Sequence, residues 1–117
     1  SSVAGRMPDR GFAAYGTAKA ALTHLTKEMA CDLSPRIRVN GINCGWMDTP
    51  GEDATQRRFH GAGDGWLEAA EARQPMGMLV KPDNVAGLAS YLLSEASGVM
   101  TGALIDFDQN VAGAYPE

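Results

Sequence analysis

From Ala13 to Leu33 the apolar residues Leu22, Leu25, Met29 and Leu33 recur at spacings of three and four, with Ala18 extending the stripe, and this predicts a long amphipathic helix. Pro35 cannot continue it and pushes Ser34 out of the helical region. The next stretch, IRVNGIN (Ile37–Asn43), alternates Ile, Val and Ile with Arg and Asn before a Gly, the two-residue period of a short strand. CGWMDTPG follows as a loop. Between Glu52 and Gln74, EDATQRRFH and GWLEAAEARQ predict one or two short helices, parted by the Gly-rich GAGDG. A further helix is expected over Asp83–Ser94, with Val85, Leu88, Leu92 and Leu93 on its buried side and Pro82 at its first turn. ALIDF (Ala103–Phe107) is apolar enough for a strand buried on both faces. Ser1–Val3 resembles the end of another strand, leading into the loop AGRMPDRG.

Strand, helix, strand, helices, strand is the order of a doubly wound parallel sheet. Only two whole strands are in view, however, and a two-stranded parallel sheet leaves long unpaired edges. Covering ALIDF on both faces also takes more helix than these residues supply. The expected fold class is therefore α/β, the C-terminal half of a doubly wound (Rossmann-like) sheet, with 1–117 forming part of a larger domain. Composition fits this: 117 residues allow at most one domain, and 44% hydrophobic, 21% charged and 14 Gly argue against disorder and fibrous repeats. A net charge of −4 without a basic stripe makes nucleic acid an unexpected partner. No apolar run approaches bilayer-crossing length and no secretory segment precedes the first motif, so no membrane partner is expected and the cytoplasm is the expected location. Cys31 and Cys44 read as free thiols of a reducing compartment. No His/Cys/carboxylate cluster has metal-ligand spacing, and no metal is expected.

The chemistry concentrates in YGTAK. Tyr15 and Lys19, four apart on a helix, project from the same side. A phenol with a pKa of about 10 is a poor base at neutral pH, but a neighbouring ammonium favours the phenolate and lowers that value. A Tyr tuned in this way exchanges a proton with an alcohol or carbonyl oxygen. The plain alternative is a surface pair, or a half-buried Tyr beside a snorkelling Lys. Ser2 lies 13 residues before Tyr15 at a strand end, where open α/β sheets place their chemistry, and its hydroxyl could meet the same substrate oxygen; a loop cap is the alternative. His60 reads as a solvated helix-end histidine and His24 as a surface or helix–helix contact. Asp106 and Asp108 read as turn or interface contacts.

Ser2, Tyr15 and Lys19 in the pattern Ser–(12 residues)–Tyr–xxx–Lys resemble the signature of the short-chain dehydrogenase/reductase family. RVNGINCGWMDTP, PMGMLVKPDNVAGLASYLLSEASGVMTG and ALIDFD continue the resemblance in order over essentially the whole chain. The resemblance implies NAD or NADP as cofactor and a reversible hydride transfer to or from a secondary alcohol or ketone. Tyr15 would be the acid/base, Lys19 would lower its pKa and hold the nicotinamide ribose, and Ser2 would orient the substrate oxygen. Gly45 would let the backbone approach the nicotinamide, the backbone groups of Met47 would meet its carboxamide, and the hydroxyl of Thr49 would reach carboxamide or pyrophosphate. For Thr49-Pro50 the alternative is simply the start of the next helix. Trp46, Phe59, His60 and Trp66 fall in the family's lid and substrate-pocket region.

Three departures from the family pattern stand out: Cys44 where Pro is usual, Met78 where Arg is common, and the tail DFDQNVAGAYPE. The NxGWM and DFDQxVxGAY wording is similar to a bacterial branch linked to sugars or polyols. The family also implies a homo-oligomer, dimer or tetramer, with the small-residue side of the long helix (Ala13, Gly16, Ala20) pairing across one interface and the terminal strand with the 83–94 helix forming another. The family's Gly-rich phosphate turn, its NAD/NADP-discriminating residue and its tetrad Asn are not among these residues, so the chain alone is not expected to bind dinucleotide tightly. The competing reading is a non-catalytic truncated fragment or scaffold. A sugar-nucleotide epimerase, which also carries YxxxK, fits the CGWMDT loop and the TG–strand ending less well.

Overall fold

The computed structural model describes residues 1–5 and 10–111. Residues 6–9 of the AGRMPDRG loop and the end of the DFDQNVAGAYPE tail lie outside the described residues.

Helix α1 spans Ala13–Leu33 and stops where the sequence requires, because Ser34 before Pro35 is extended (φ −65°, ψ 144°). Its buried side differs from expectation. Leu22, Leu25 and Met29 are 41, 50 and 41% exposed, whereas Thr26 and Ala30 are buried. The reason is what α1 packs against: an added Cβ on Gly41 would lie 3.4 Å from Thr26 Cγ2 and one on Gly102 3.5 Å from Ala30 Cβ, and nearer the helix start a Cβ on Gly5 of the 3₁₀ turn at Val3–Gly5 would come within 2.9 Å of the Lys19 carbonyl carbon and the Ala20 nitrogen. Backbone at that distance admits only small or slender side chains, so the bulky apolar residues turn outward.

Strand β1 is Gly41–Cys44 and β2 is Leu104–Phe107; they pair in parallel with Gly41 opposite Leu104 and Cys44 opposite Phe107. On the other side of β1, Ser2 makes an isolated parallel bridge to Cys44. The strand expected over residues 37–43 is thus shorter at its start. Side chains share the pairing there with one backbone bond, from the Gly102 N–H to the Val39 carbonyl at 2.7 Å: Thr101 Oγ1 accepts from the Val39 N–H at 3.1 Å, Asn40 Nδ2 donates to the Met100 carbonyl at 2.9 Å, and Asn40 Oδ1 accepts from the Ala103 N–H at 3.0 Å. Arg38 adds bonds to Ser97 Oγ, the Ser94 carbonyl and the Met100 carbonyl, which tie the lead-in of β1 to the turn before β2. Strand β2 is not buried on both faces. Asp106 is exposed and its neighbours are half-buried, since among the described residues β2 pairs with β1 alone.

Helix α2 (Pro50–Phe59) starts on Thr49, whose hydroxyl accepts from the Glu52 N–H at 3.1 Å, with Pro50 in its first turn. Glu52 and Asp53 at its start and Arg57 and Arg58 at its end match the helix dipole. Helix α3 is Trp66–Glu71. Helix α4 (Pro82–Leu93) buries Leu92, half-buries Val85 and Leu88, and leaves Leu93 85% exposed, so Leu93 does not belong to the inward stripe. Leu93 points about 100° around the helix from Leu92, past the edge of the face that α4 buries here. The core proper is small: Ala30, Ala70, Leu79, Val80 and Leu92. Cys31 is exposed, Cys44 half-buried, and both are free thiols.

Candidate active site

At the carboxyl ends of the parallel strands a cleft of about 740 Å³ opens, and Ser2, Tyr15, Gly45, Met47 and Thr49 all line it. Residues 42 positions apart in sequence meet there because the bridge from Ser2 to Cys44 sets the N-terminal turn beside the loop that leaves β1. Tyr15 is 46% exposed, one turn into α1. The Lys19 ammonium stands 5.3 Å from the centroid of its ring, and Phe12 packs edge-on against the same ring at 6.0 Å. The Ser2 hydroxyl accepts from the Ala4 N–H at 3.2 Å, which leaves its proton available to donate.

The loop after β1 runs as a second, shorter ladder against Val80. The Val80 N–H donates to the Trp46 carbonyl and the Asp48 N–H donates to the Val80 carbonyl, both at 2.9 Å. In a parallel bridge of this kind the N–H and C=O of the central residue, Met47, turn the other way. Met47 also lines the cleft, and a backbone donor and acceptor side by side are the complement of a carboxamide. A nicotinamide therefore fits these residues. Thr49 is committed to capping α2 as an acceptor, and its hydroxyl proton is still free to donate into the cleft. Gly45 has a reason not foreseen: a Cβ at Gly45 would fall on the Asp108 carboxylate, 2.7 Å from its Cγ. The missing side chain makes room for Asp108, at the end of β2.

The opposite wall is α2. Both Trp46 Nε1 and Gln56 Nε2 donate to Glu52 Oε1, at 2.7 and 2.8 Å. Trp66 Nε1 donates to Asp53 Oδ1 at 2.6 Å, and the two indoles lie 6.5 Å apart. Asp53 also accepts from Arg57, which reaches Asp64 as well. The Trp66 bond, then the Arg57 bond, hold the Asp53 carboxyl below the usual carboxylate range. At the rear of the loop Lys81 Nζ bonds Asp48 at 2.8 Å and Glu71 at 2.7 Å. These bonds, Asp48 first, raise the Lys81 ammonium, while Lys81 and then the Leu79 N–H lower the Glu71 carboxyl. His60 is exposed at the end of α2 and on the cleft's edge, and His24 is exposed beside Glu28. Among the described residues no group of three or more His, Cys, Asp or Glu side chains could hold a metal, and no helix is long and apolar enough to cross a membrane.

Sequence reasoning passed over Glu52, Gln56, Asp48, Glu71 and Lys81. Glu52 carried a signal, because T-P-G-E is a capping-box pattern. The Lys81 contacts carried none, since they join residues 33 and 10 positions away.

A family profile described as enoyl-(acyl carrier protein) reductase matches residues 1–110. An uncharacterized oxidoreductase of Mycobacterium tuberculosis is 42% identical over 108 residues, covering 92% of this chain and 39% of its own length. The ligand-free aldohexose dehydrogenase of Thermoplasma acidophilum superposes on all of this chain and 49% of its own, with a TM-score of 0.82 at 27% identity. A 3-ketoacyl-(acyl-carrier-protein) reductase of Brucella melitensis complexed with NADH covers 94% of this chain and 41% of its own, with a TM-score of 0.76 at 29% identity. The chain belongs to the short-chain dehydrogenase/reductase family. Family members are oxidoreductases of Rossmann-type α/β fold, and the parallel β1–β2 pair with its helices is a part of that architecture. The chain spans less than half the length of these relatives.

Proposed function

We propose that the protein containing this chain transfers hydride reversibly between a nicotinamide cofactor, NAD or NADP, and a secondary alcohol or ketone of a small molecule, a sugar or polyol by preference. The cofactor would supply and accept the hydride; these residues manage the proton and the geometry. Tyr15 donates a proton to the substrate oxygen in reduction and removes it in oxidation. Lys19 sets positive charge over the ring as that proton leaves, and Ser2 donates to the same oxygen to hold it. Met47 and Thr49 would hold the carboxamide side of the cofactor and Lys19 its ribose. The observation that carries this reading is that Ser2, Tyr15 and Met47, whose backbone N–H and C=O turn away from the Val80 bridge, line one cleft. Likeness to an aldohexose dehydrogenase supports the sugar preference. The apolar face of α1 left exposed at Leu22, Leu25 and Met29 supports a homo-oligomer.

The test is Tyr15→Phe in the full-length protein. Turnover should fall by about 10²–10⁴-fold, the usual share of general acid–base catalysis, with the NADH dissociation constant unchanged. Near-normal turnover would remove Tyr15 from the proton transfer. A second reading, that these 117 residues are non-catalytic by themselves, is favoured by their covering less than half of each relative. Saturable NADH binding to the 117-residue chain alone would count against it.

A further inference from the structure

We propose that Glu52 is a specificity-determining residue, whose free carboxylate oxygen receives the hydroxyl hydrogens of a polyhydroxylated substrate. The proposal rests on the reading of Tyr15 and Ser2 as the proton-transfer end of the cleft, and it concerns the wall facing them. Glu52 stands at the third position of α2 after the Thr49 cap, where a Glu ordinarily reaches back to the cap's own N–H. Here its carboxylate bonds elsewhere. Trp46 and Gln56 both donate to Oε1, from opposite ends of the local chain, and this fixes the carboxylate in one orientation. Among the described residues Oε2 has no partner, although Glu52 lines the same cleft as Tyr15 and Ser2. An ionised carboxylate only accepts, so whatever meets Oε2 must bring donors.

The neighbouring groups narrow the ligand further. The Thr55 hydroxyl donates to the Gly51 carbonyl and so offers only lone pairs to the cleft. Gln56 retains its carbonyl oxygen and one N–H, and His60 at the rim offers a ring nitrogen of either sense. This wall therefore presents mostly acceptors with a few donors between them. Several hydroxyls, each both donor and acceptor, satisfy such an array. An acyl chain or plain aliphatic alcohol leaves it unpaired, at a cost. An ammonium satisfies the acceptors and repels the donors.

The experiment uses the full-length protein with sorbitol, 2-butanol and 1-amino-2-propanol as probes, read by calorimetric titration and by kcat/KM. The wild type should favour sorbitol over both. Glu52→Gln keeps an acceptor for Trp46 and Gln56 while removing the charge; it should weaken sorbitol binding and lower the sorbitol-over-2-butanol preference, each about tenfold. Glu52→Ala should weaken sorbitol binding by about a hundredfold, the range of a lost charge-assisted hydrogen bond. Circular dichroism checks that both variants keep the fold, which the backbone N–H of residue 52 can still cap. The proposal is overturned if the wild type shows no preference for sorbitol, if both variants bind sorbitol as the wild type does, if the amine binds more tightly, or if the loss falls on NADH instead. Should Tyr15→Phe retain turnover while the Glu52 variants lose sorbitol, the acid/base reading fails and this one stands.

Discussion

Replacing Gly45 with Ala puts a methyl where Asp108 already stands. The new Cβ would lie 2.7 Å from Asp108 Cγ and 3.1 Å from its Cβ, with the carboxylate oxygen Oδ1 closer still. Real side chains do not tolerate such approaches, so Asp108 must rotate or the ends of β1 and β2 must part. The Gly45 N–H donates to the Phe107 carbonyl at 2.9 Å, which resists the second course. Overpacking of this kind costs about 1–3 kcal/mol. The backbone contributes nothing to that figure, because Gly45 is not among the glycines with positive φ. An Ala there without the clash would even gain about 0.4–1 kcal/mol from a less flexible unfolded chain. The clean measurement is a double-mutant cycle of Gly45→Ala and Asp108→Gly, followed by urea unfolding with circular dichroism. Asp108→Gly alone gives up a long bond from Asn110 at 3.4 Å and about 0.5–1 kcal/mol of backbone entropy. In the double variant most of the Gly45→Ala loss should return, a coupling of about 1–3 kcal/mol. A Gly45→Ala protein as stable as the wild type, or two losses that merely add, would refute the packing argument and leave cofactor approach as the reason for the glycine.

The Lys81 clamp should be pH-sensitive at both ends of the scale. Glu71 is held below the ordinary 4.5, so its contribution is present above that pH and lost as pH falls through its folded value. Lys81 is held above the ordinary 10.5, so its contribution is complete below that pH and lost as pH rises beyond its folded value. Hydrogen-exchange protection of the Leu79 amide, which donates to Glu71 at 3.2 Å, should decline below about pH 4.5, and protection that stays flat down to pH 3 would count against the clamp. Thr49→Ala should destabilise α2 by about 1 kcal/mol through the lost cap, read as a lower urea midpoint, with Thr49→Ser restoring it. If Thr49→Ala unfolds like the wild type, the cap carries no weight.

What the sequence settled by itself is whatever depends on neighbours along the chain. The start and stop of α1, the Thr49–Pro50 start of α2, the Pro82 start of α4 and the strand character of 104–107 were all legible, because backbone geometry and capping chemistry act over a few residues. So was the Tyr15–Lys19 pair, which a helix brings together by its pitch alone. Which face of α1 turns inward was not legible: Leu22, Leu25 and Met29 pointed one way, and the close approach of Gly41 and Gly102 to Thr26 and Ala30 chose the small side instead. The start of β1 moved because Asn40 and Thr101 side chains took over hydrogen bonds that a pattern of alternation assigns to the backbone. The same holds for the site. That Ser2, Tyr15 and Met47 share a cleft and that Asp108 fills the place of a Gly45 side chain join residues brought close by the parallel pairing of β1 and β2, by the Ser2–Cys44 bridge and by the loop's ladder on Val80. Contacts of that range depend on where the chain returns in space, and periodicity along it carries no record of them.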